Sequence, residues 1–322
     1  MLQSTLSILL LIVVTIIFGK ISVKMGFSSV VGQLLSGVVL GASFLNVVQT
    51  SDLMHVISET GVCLLMLNSG LESDLKEMRK YIKASTRIAV LGVVVPAIVF
   101  PLICLLLVYT LPIALFAGVV FSATSISITL AVLSEQKQLA TPMGAIIISA
   151  AVLDDIIALA AVTLFSIVIG GGTLGISSLL PLIAFAVGIL LRKLSFSAFI
   201  GKGTTRIGQW FFYPVFFGSI GLTITVQGLG DKILPIIIFS LLAVITKFVG
   251  SSIGARLSGL SRRVAYAIGA GMISRGEMAL VIIQIGLSSH IINSATSSEF
   301  IVTVIISTIV APLMMKPLFA KV

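Results

Sequence analysis

From Gly144 to Ile169 the chain runs without a polar break, apolar but for Ser149, Thr163, Ser166 and two adjacent charges, Asp154 and Asp155. A segment this apolar is long enough to span a bilayer as a helix. A charge at the centre of such a span costs about 2.5–3.5 kcal/mol even on insertion scales, so two neighbouring carboxylates mark an ion or proton path.

The rest of the chain fits the same environment. With 58% hydrophobic residues and 10% charged residues over 322 positions, it cannot cover a water-soluble globule with polar surface. Eleven apolar segments are predicted to cross or nearly cross the membrane as helices: 3–19, 28–48, 54–71, 86–109, 112–133, 142–169, 174–191, 208–226, 233–255, 264–289 and 296–315. None shows the in/out alternation of a β-barrel strand. Segment 1 lacks the basic start and small-residue cleavage site of a signal peptide and is retained as a span. Cys63 and Cys104 fall inside segments 3 and 4 and read as apolar packing residues.

The formal charge of +9 is distributed as a membrane protein distributes it. All of the 20 basic residues except Lys232, Lys247 and Arg275 flank the ends that follow odd-numbered segments or the C-terminus. This bias places the N-terminus outside and the C-terminus in the cytoplasm, consistent with an odd number of crossings. Nucleic acid is not an expected partner.

With that orientation, segments 5 and 10 run in opposite directions, and each is interrupted near its middle. The interruptions are Ser122-Ala-Thr-Ser-Ile-Ser-Ile-Thr129 and Gly269-Ala-Gly-Met-Ile-Ser-Arg-Gly-Glu277. Broken helices at matching places in opposite orientation mark an inverted-repeat transporter with an ion site near the midplane. For segment 5 a small-residue packing seam is the alternative. Asp154 and Asp155 lie roughly 18–20 Å into segment 6 at 1.5 Å per residue, and Lys247 lies at similar depth in segment 9. Adjacent residues on a helix project about 100° apart, so one aspartate can pair with Lys247 while the other faces a cavity.

Taken in order, Gly61 to Glu72 with its terminal Gly-Leu-Glu, Ser122-Ala-Thr-Ser125, Val152-Leu-Asp-Asp-Ile156, Pro214-Val-Phe-Phe-Gly-Ser-Ile-Gly-Leu222, Lys247 and Ser274-Arg-Gly-Glu277 resemble the monovalent cation:proton antiporters, in their NapA/KefC-like branch. The resemblance implies an all-α polytopic membrane protein of the inverted-repeat antiporter fold, with two broken crossover helices and about eleven transmembrane helices. Asp155 would be the principal cation and proton carrier, holding the alkali cation, with Asp154 salt-bridged to Lys247 in part of the cycle. Thr124, Ser125 and Ser127 would complete the cation shell, and Arg275 and Glu277 would brace the second crossover. Oxygen ligands suit a hard cation.

Relatives of this type have about two more helices between the double-aspartate segment and Pro214, so this chain is expected to lack two scaffold helices. The single transmembrane domain, 1–322, is expected to divide into scaffold and dimer elements at 1–53 and 174–230 and ion-transport elements at 54–169 and 231–318. Gly170-Gly-Gly172 reads as the turn between them. Glu72, Asp74 and Glu77, interleaved with Lys76 and Arg79, read as a solvated interface. His55, His290 and Glu59 are expected near the outer surface.

The function expected is a non-enzymatic secondary antiporter that exchanges Na+, or else Li+ or K+, for protons. It would be electrogenic, would need no cofactor, and would serve pH homeostasis from a prokaryotic plasma membrane as a multi-pass protein. Its partners would be the cations, protons, the lipid bilayer and a second copy in a homodimer weakened by the shortened scaffold. An intramembrane aspartyl protease needs its aspartates opposed on separate helices and is excluded by their adjacency. A sodium-coupled organic-solute symporter of related fold remains the alternative.

Overall fold

The structure, a computed structural model, describes residues 2–72, 75–169, 176–194, 196–225 and 230–320. Gly170-Gly-Gly172, Asp74 and the side chains of Lys76 and Glu77 lie outside the described residues. The described chain is helical, without a strand. In order the helices are α1 Leu2–Lys24, α2 Ser29–Leu40, α3 Asp52–Glu72, α4 Leu75–Leu106, α5 Leu111–Val120, α6 Ile126–Glu135, α7 Pro142–Ile169, α8 Ile176–Leu191, α9 Ser197–Ile207, α10 Tyr213–Thr223, α11 Ile233–Leu257, α12 Arg262–Gly271, α13 Glu277–Ser288 and α14 Ser294–Phe319.

Each of the eleven expected segments contains helix, and segments 5 and 10 each contain two, α5/α6 and α12/α13. Boundaries differ from expectation in several places; segment 2, expected to reach 48, is helical only to Leu40, and α1 runs on to Lys24. The basic stretch before segment 4 is helical from Leu75 onward, because Lys, Glu, Met and Arg are good helix formers and nothing there breaks the run. Segment 8 is preceded by α9 and joined to it through a π-helical turn at Gly208–Phe212, so much of the basic stretch between Arg192 and Arg206 is helix. Helix starts carry ordinary signals: Ser28 and Ser261 accept from the backbone N–H groups of Val30 and Val264, and prolines open α5 and α7.

Among the described residues, five helical stretches are by length and composition long and apolar enough to cross a membrane: Thr5–Lys24, Arg79–Leu106, Pro142–Phe165, Gly230–Leu257 and Ser294–Phe319. Helices α2, α5, α6 and α13 are apolar but shorter. Large apolar side chains such as Leu9, Leu106, Leu234 and Leu313 are exposed, which water would penalise and lipid does not.

The chain forms two compact units. The first comprises Met1–Ser73, Thr173–Gly230 and Ser294–Ser298. In it α3 packs on α8 at the closest backbone approach small residues allow: a Cβ on Gly70 would come 3.0 Å from the Cα of Gly188, and the reverse holds too. This pairing groups α3 with the first unit, whereas the expected ion-transport elements begin at 54. The second unit comprises Asp74–Gly172, Asp231–Asn293 and Glu299–Val322. There α4 lies against α7 and α11, and Ile147, Ile268, Met272 and Phe319 fill the core among α7, α12 and α14.

Candidate functional site

The site lies within the second unit. Helix α5 stops at Val120 and α6 starts at Ile126; α12 stops at Gly271 and α13 starts at Glu277. The breaks follow from residue chemistry, since Ser and Thr offer backbone groups a bond outside the helix ladder, as Ser122 does by donating to the carbonyl of Val119 at 2.7 Å. The two unwound strands cross and bond to each other. Ser125 N–H donates to the carbonyl of Ser274 at 2.7 Å, and Ser274 Oγ returns a bond to the carbonyl of Ser125 at 2.8 Å. Thr124 Oγ1 donates to the carbonyl of Met272 at 3.3 Å. Gly276 permits the crossing, because a Cβ there would sit 2.8 Å from Ser125 Oγ.

Lys247, in α11, meets Asp154, in α7, at 2.6 Å between Nζ and Oδ1, and neither side chain is exposed. The same ammonium donates to the carbonyl of Ser122. Asp154 Oδ2 has no hydrogen-bond partner among the described residues. Asp155 is also buried, one position along α7.

Arg275 is wholly buried and does not pair with Glu277. Its guanidinium donates to the carbonyl of Ala123 at 2.8 Å and to that of Ala243 at 2.9 Å, and it lies 5.9 Å from the Phe121 ring centroid. Its own carbonyl accepts from Thr308. Glu277 turns to the other strand: Oε2 accepts from Ser125 Oγ at 2.8 Å and Oε1 from Ser127 Oγ at 2.7 Å. The hydroxyl hydrogens of two residues expected in the cation shell are thus given to Glu277, leaving their oxygen lone pairs to accept or ligate.

The charges follow the helix dipoles. Lys247 and Arg275 sit on carbonyls just past the C-terminal end of α5, and Glu277 sits in the first turn of α13 and beside the first turn of α6. Each sign faces the helix end it stabilises. The structure therefore gathers Asp154, Asp155, Lys247, Thr124, Ser125, Ser127, Arg275 and Glu277 around one crossing. Sequence reasoning missed the direct bonds from Glu277 to Ser125 and Ser127, the Thr308 contact, and Ser274 as the partner of Ser125. The spacing of hydroxyls in both interrupted segments was the available signal for the last of these.

Comparison with known proteins gives the family. The sequence profile described as sodium/hydrogen exchanger, transmembrane, matches residues 8–191 and 157–321. The chain is 33% identical to a Na+/H+ antiporter of Enterococcus hirae over 375 aligned positions, covering 97% of each. It is 30% identical to the Na+/H+-K+ antiporter GerN of Bacillus cereus, covering 97% of this chain and 95% of the relative. The solved sodium proton antiporter MjNhaP1 of Methanocaldococcus jannaschii shares the fold at a TM-score of 0.74 and 14% identity, over 99% of this chain and 96% of that one. With the profile spanning nearly its whole length, the chain belongs to the sodium/hydrogen exchanger family of membrane transporters.

Proposed function

We propose that the protein is a secondary antiporter that exchanges a monovalent cation, Na+ or else Li+ or K+, for protons. The observation that carries this is the buried aspartate pair of α7, with Lys247 on one member, set against two crossed, unwound strands. The names of its relatives, Na+/H+ and Na+/H+-K+ antiporters, point the same way.

Asp155 is the principal carrier in this reading, and it binds either a proton or the cation. Asp154 is the second carboxylate, held by Lys247 until a cation displaces the lysine. Thr124, Ser125 and Ser127 supply neutral oxygens, with Glu277 orienting the two serines and Arg275 holding the strands. Competition for one desolvated site couples the two fluxes, because both ligands cannot occupy it at once. The second unit is the ion-carrying element, the first the scaffold, and access alternates between the two sides of the membrane. Two protons move against one cation, one on Asp155 and one on Lys247 once the cation displaces it from Asp154, so the exchange is electrogenic.

The chain crosses the prokaryotic plasma membrane eleven times with its N-terminus outside, and it forms a homodimer. The alignment with the Enterococcus relative runs over 375 positions where this chain has 322 residues, which supports an internal segment that this chain lacks. We place that gap after α8, in the scaffold.

Liposomes containing the purified protein and a pH-sensitive dye test the reading. Addition of at least one of Na+, Li+ or K+ will drive proton movement; no response to any of the three overturns it. Na+-driven uptake of a labelled organic anion would instead establish symport.

A further inference from the structure

The second unit holds another buried carboxyl, which the exchange site does not use. Glu299, in α14, is wholly excluded from solvent. Its Oε1 accepts from the Tyr109 phenol at 2.6 Å, and its Oε2 has no hydrogen-bond partner among the described residues. Lys232, just before α11, places Nζ 3.5 Å from the same phenol oxygen and 5.0 Å from the ring centroid. Tyr109 and Lys232 are half-buried, so a row of polar groups leads from the surface through ammonium and phenol to the carboxyl. Among the described residues, the thiol of Cys104 in α4 also faces Glu299; Asp231, beside Lys232, is exposed.

Neither protonation state satisfies this carboxyl. Ionised, it leaves Oε2 charged and without a donor where water does not reach. Protonated, it gives up the charge-assisted bond from Tyr109, whose 2.6 Å length falls in the range of about 2.5–2.7 Å usual for a hydroxyl on a carboxylate. Opposed penalties of this kind make a group that exchanges a proton.

The backbone beside Tyr109 is under load. Val108 has φ 66°, a left-handed conformation that a β-branched residue rarely adopts, and it closes the end of α4, where Val108 N–H donates to the carbonyl of Leu105 at 3.1 Å and Tyr109 N–H to that of Cys104 at 2.9 Å. The Tyr109 bond to Glu299 adds a side-chain tie to that turn. That turn leads directly into α5, whose far end presents the carbonyls that Lys247 and Arg275 hold. Aromatic rings connect the two ends: Tyr109 lies 5.9 Å from Phe239, Phe239 6.1 Å from Phe121, and Phe121 under the Arg275 guanidinium.

We infer that Glu299 is a second proton-binding site, reached from solvent through Lys232 and Tyr109, whose ionised form holds the Tyr109 phenol by the stronger, charge-assisted bond.

Infrared difference spectroscopy of the full chain in liposomes, titrated over pH, reads carboxyl protonation without reference to transport. One protonated-carboxyl band is expected to vanish in Glu299→Gln and to persist in a double Asp154→Asn, Asp155→Asn protein. In Tyr109→Phe the midpoint of that band should shift, since the phenol that donates to the carboxylate is gone. Tyr109→Phe removes one oxygen only and carries the test alone if Glu299→Gln fails to assemble. A band set unchanged by Glu299→Gln, or a midpoint unmoved in Tyr109→Phe, overturns the inference. Transport tests the exchange reading and the band tests this one, so either can fail by itself.

Discussion

Lys247 donates to Asp154 Oδ1 at 2.6 Å and, from the same ammonium, to the carbonyl of Ser122, with neither charged side chain reaching solvent. One cation thereby ties α11 to α7 and to the broken end of α5. A tie of that kind makes the aspartate, the lysine and the crossover respond together to whatever enters the site.

Asp155→Asn should abolish cation-dependent proton exchange while leaving expression and detergent behaviour intact. The amide keeps the shape and removes both the titrating proton and the charge that holds a cation. Dye recovery at the unmodified protein's rate in Asp155→Asn liposomes would remove Asp155 from the mechanism.

Replacing Lys247 with Gln leaves Asp154 buried without its counter-charge. Removing one partner of a buried pair typically costs about 3–5 kcal/mol, so a marked fall in melting temperature is expected first. Exchange should then stop or become electroneutral. Transport measured with and without a potassium/valinomycin clamp decides it; unchanged voltage sensitivity in an active Lys247→Gln protein would show that the lysine is a structural partner alone.

Glu277 accepts from both Ser125 and Ser127, so its loss should resemble the loss of both hydroxyls. Glu277→Gln is expected to weaken apparent cation affinity more than Ser125→Ala or Ser127→Ala alone. Combined with either serine change it should add less than the sum of the two, because the residues share one network. Full additivity in the cation dependence of exchange would separate Glu277 from the serines.

A scaffold shortened after α8 should give a dimer weaker than that of a full-length relative, since interface area is lost. Mass photometry in detergent at nanomolar concentration should find mainly monomer. A fully stable dimer under those conditions would place the dimer contact elsewhere.

Much of the architecture was legible in the chain because membrane insertion is a local property. A long apolar run satisfies its own backbone hydrogen bonds as a helix wherever it lies, so α1, α4, α7, α11 and α14 could be placed from composition. The breaks at Ser122–Ser125 and Met272–Gly276 announced themselves by their hydroxyls and glycines, and Asp154 and Asp155 by their cost in lipid. The grouping of helices was less local. Helix α3 joined the first unit because Gly70 meets Gly188 on α8, and no periodicity within α3 names that partner.

The pairings that make the site were decided by tertiary structure alone. Depth counting brings Lys247 level with both aspartates, but only the packing of α11 within the second unit turns it to Asp154, 93 positions away. Arg275 and Glu277 are two residues apart and opposite in charge, which suggests mutual pairing. In the structure they face different strands, Arg275 toward Ala123 and Ala243 and Glu277 toward Ser125 and Ser127. Glu299 gave no sign in the sequence of meeting Tyr109, 190 positions earlier. The sequence determined which residues must be buried in lipid and where helices must break, because those energies depend on a residue and its near neighbours. Which donor meets which acceptor depends on how separate helices pack, and that only the fold decides.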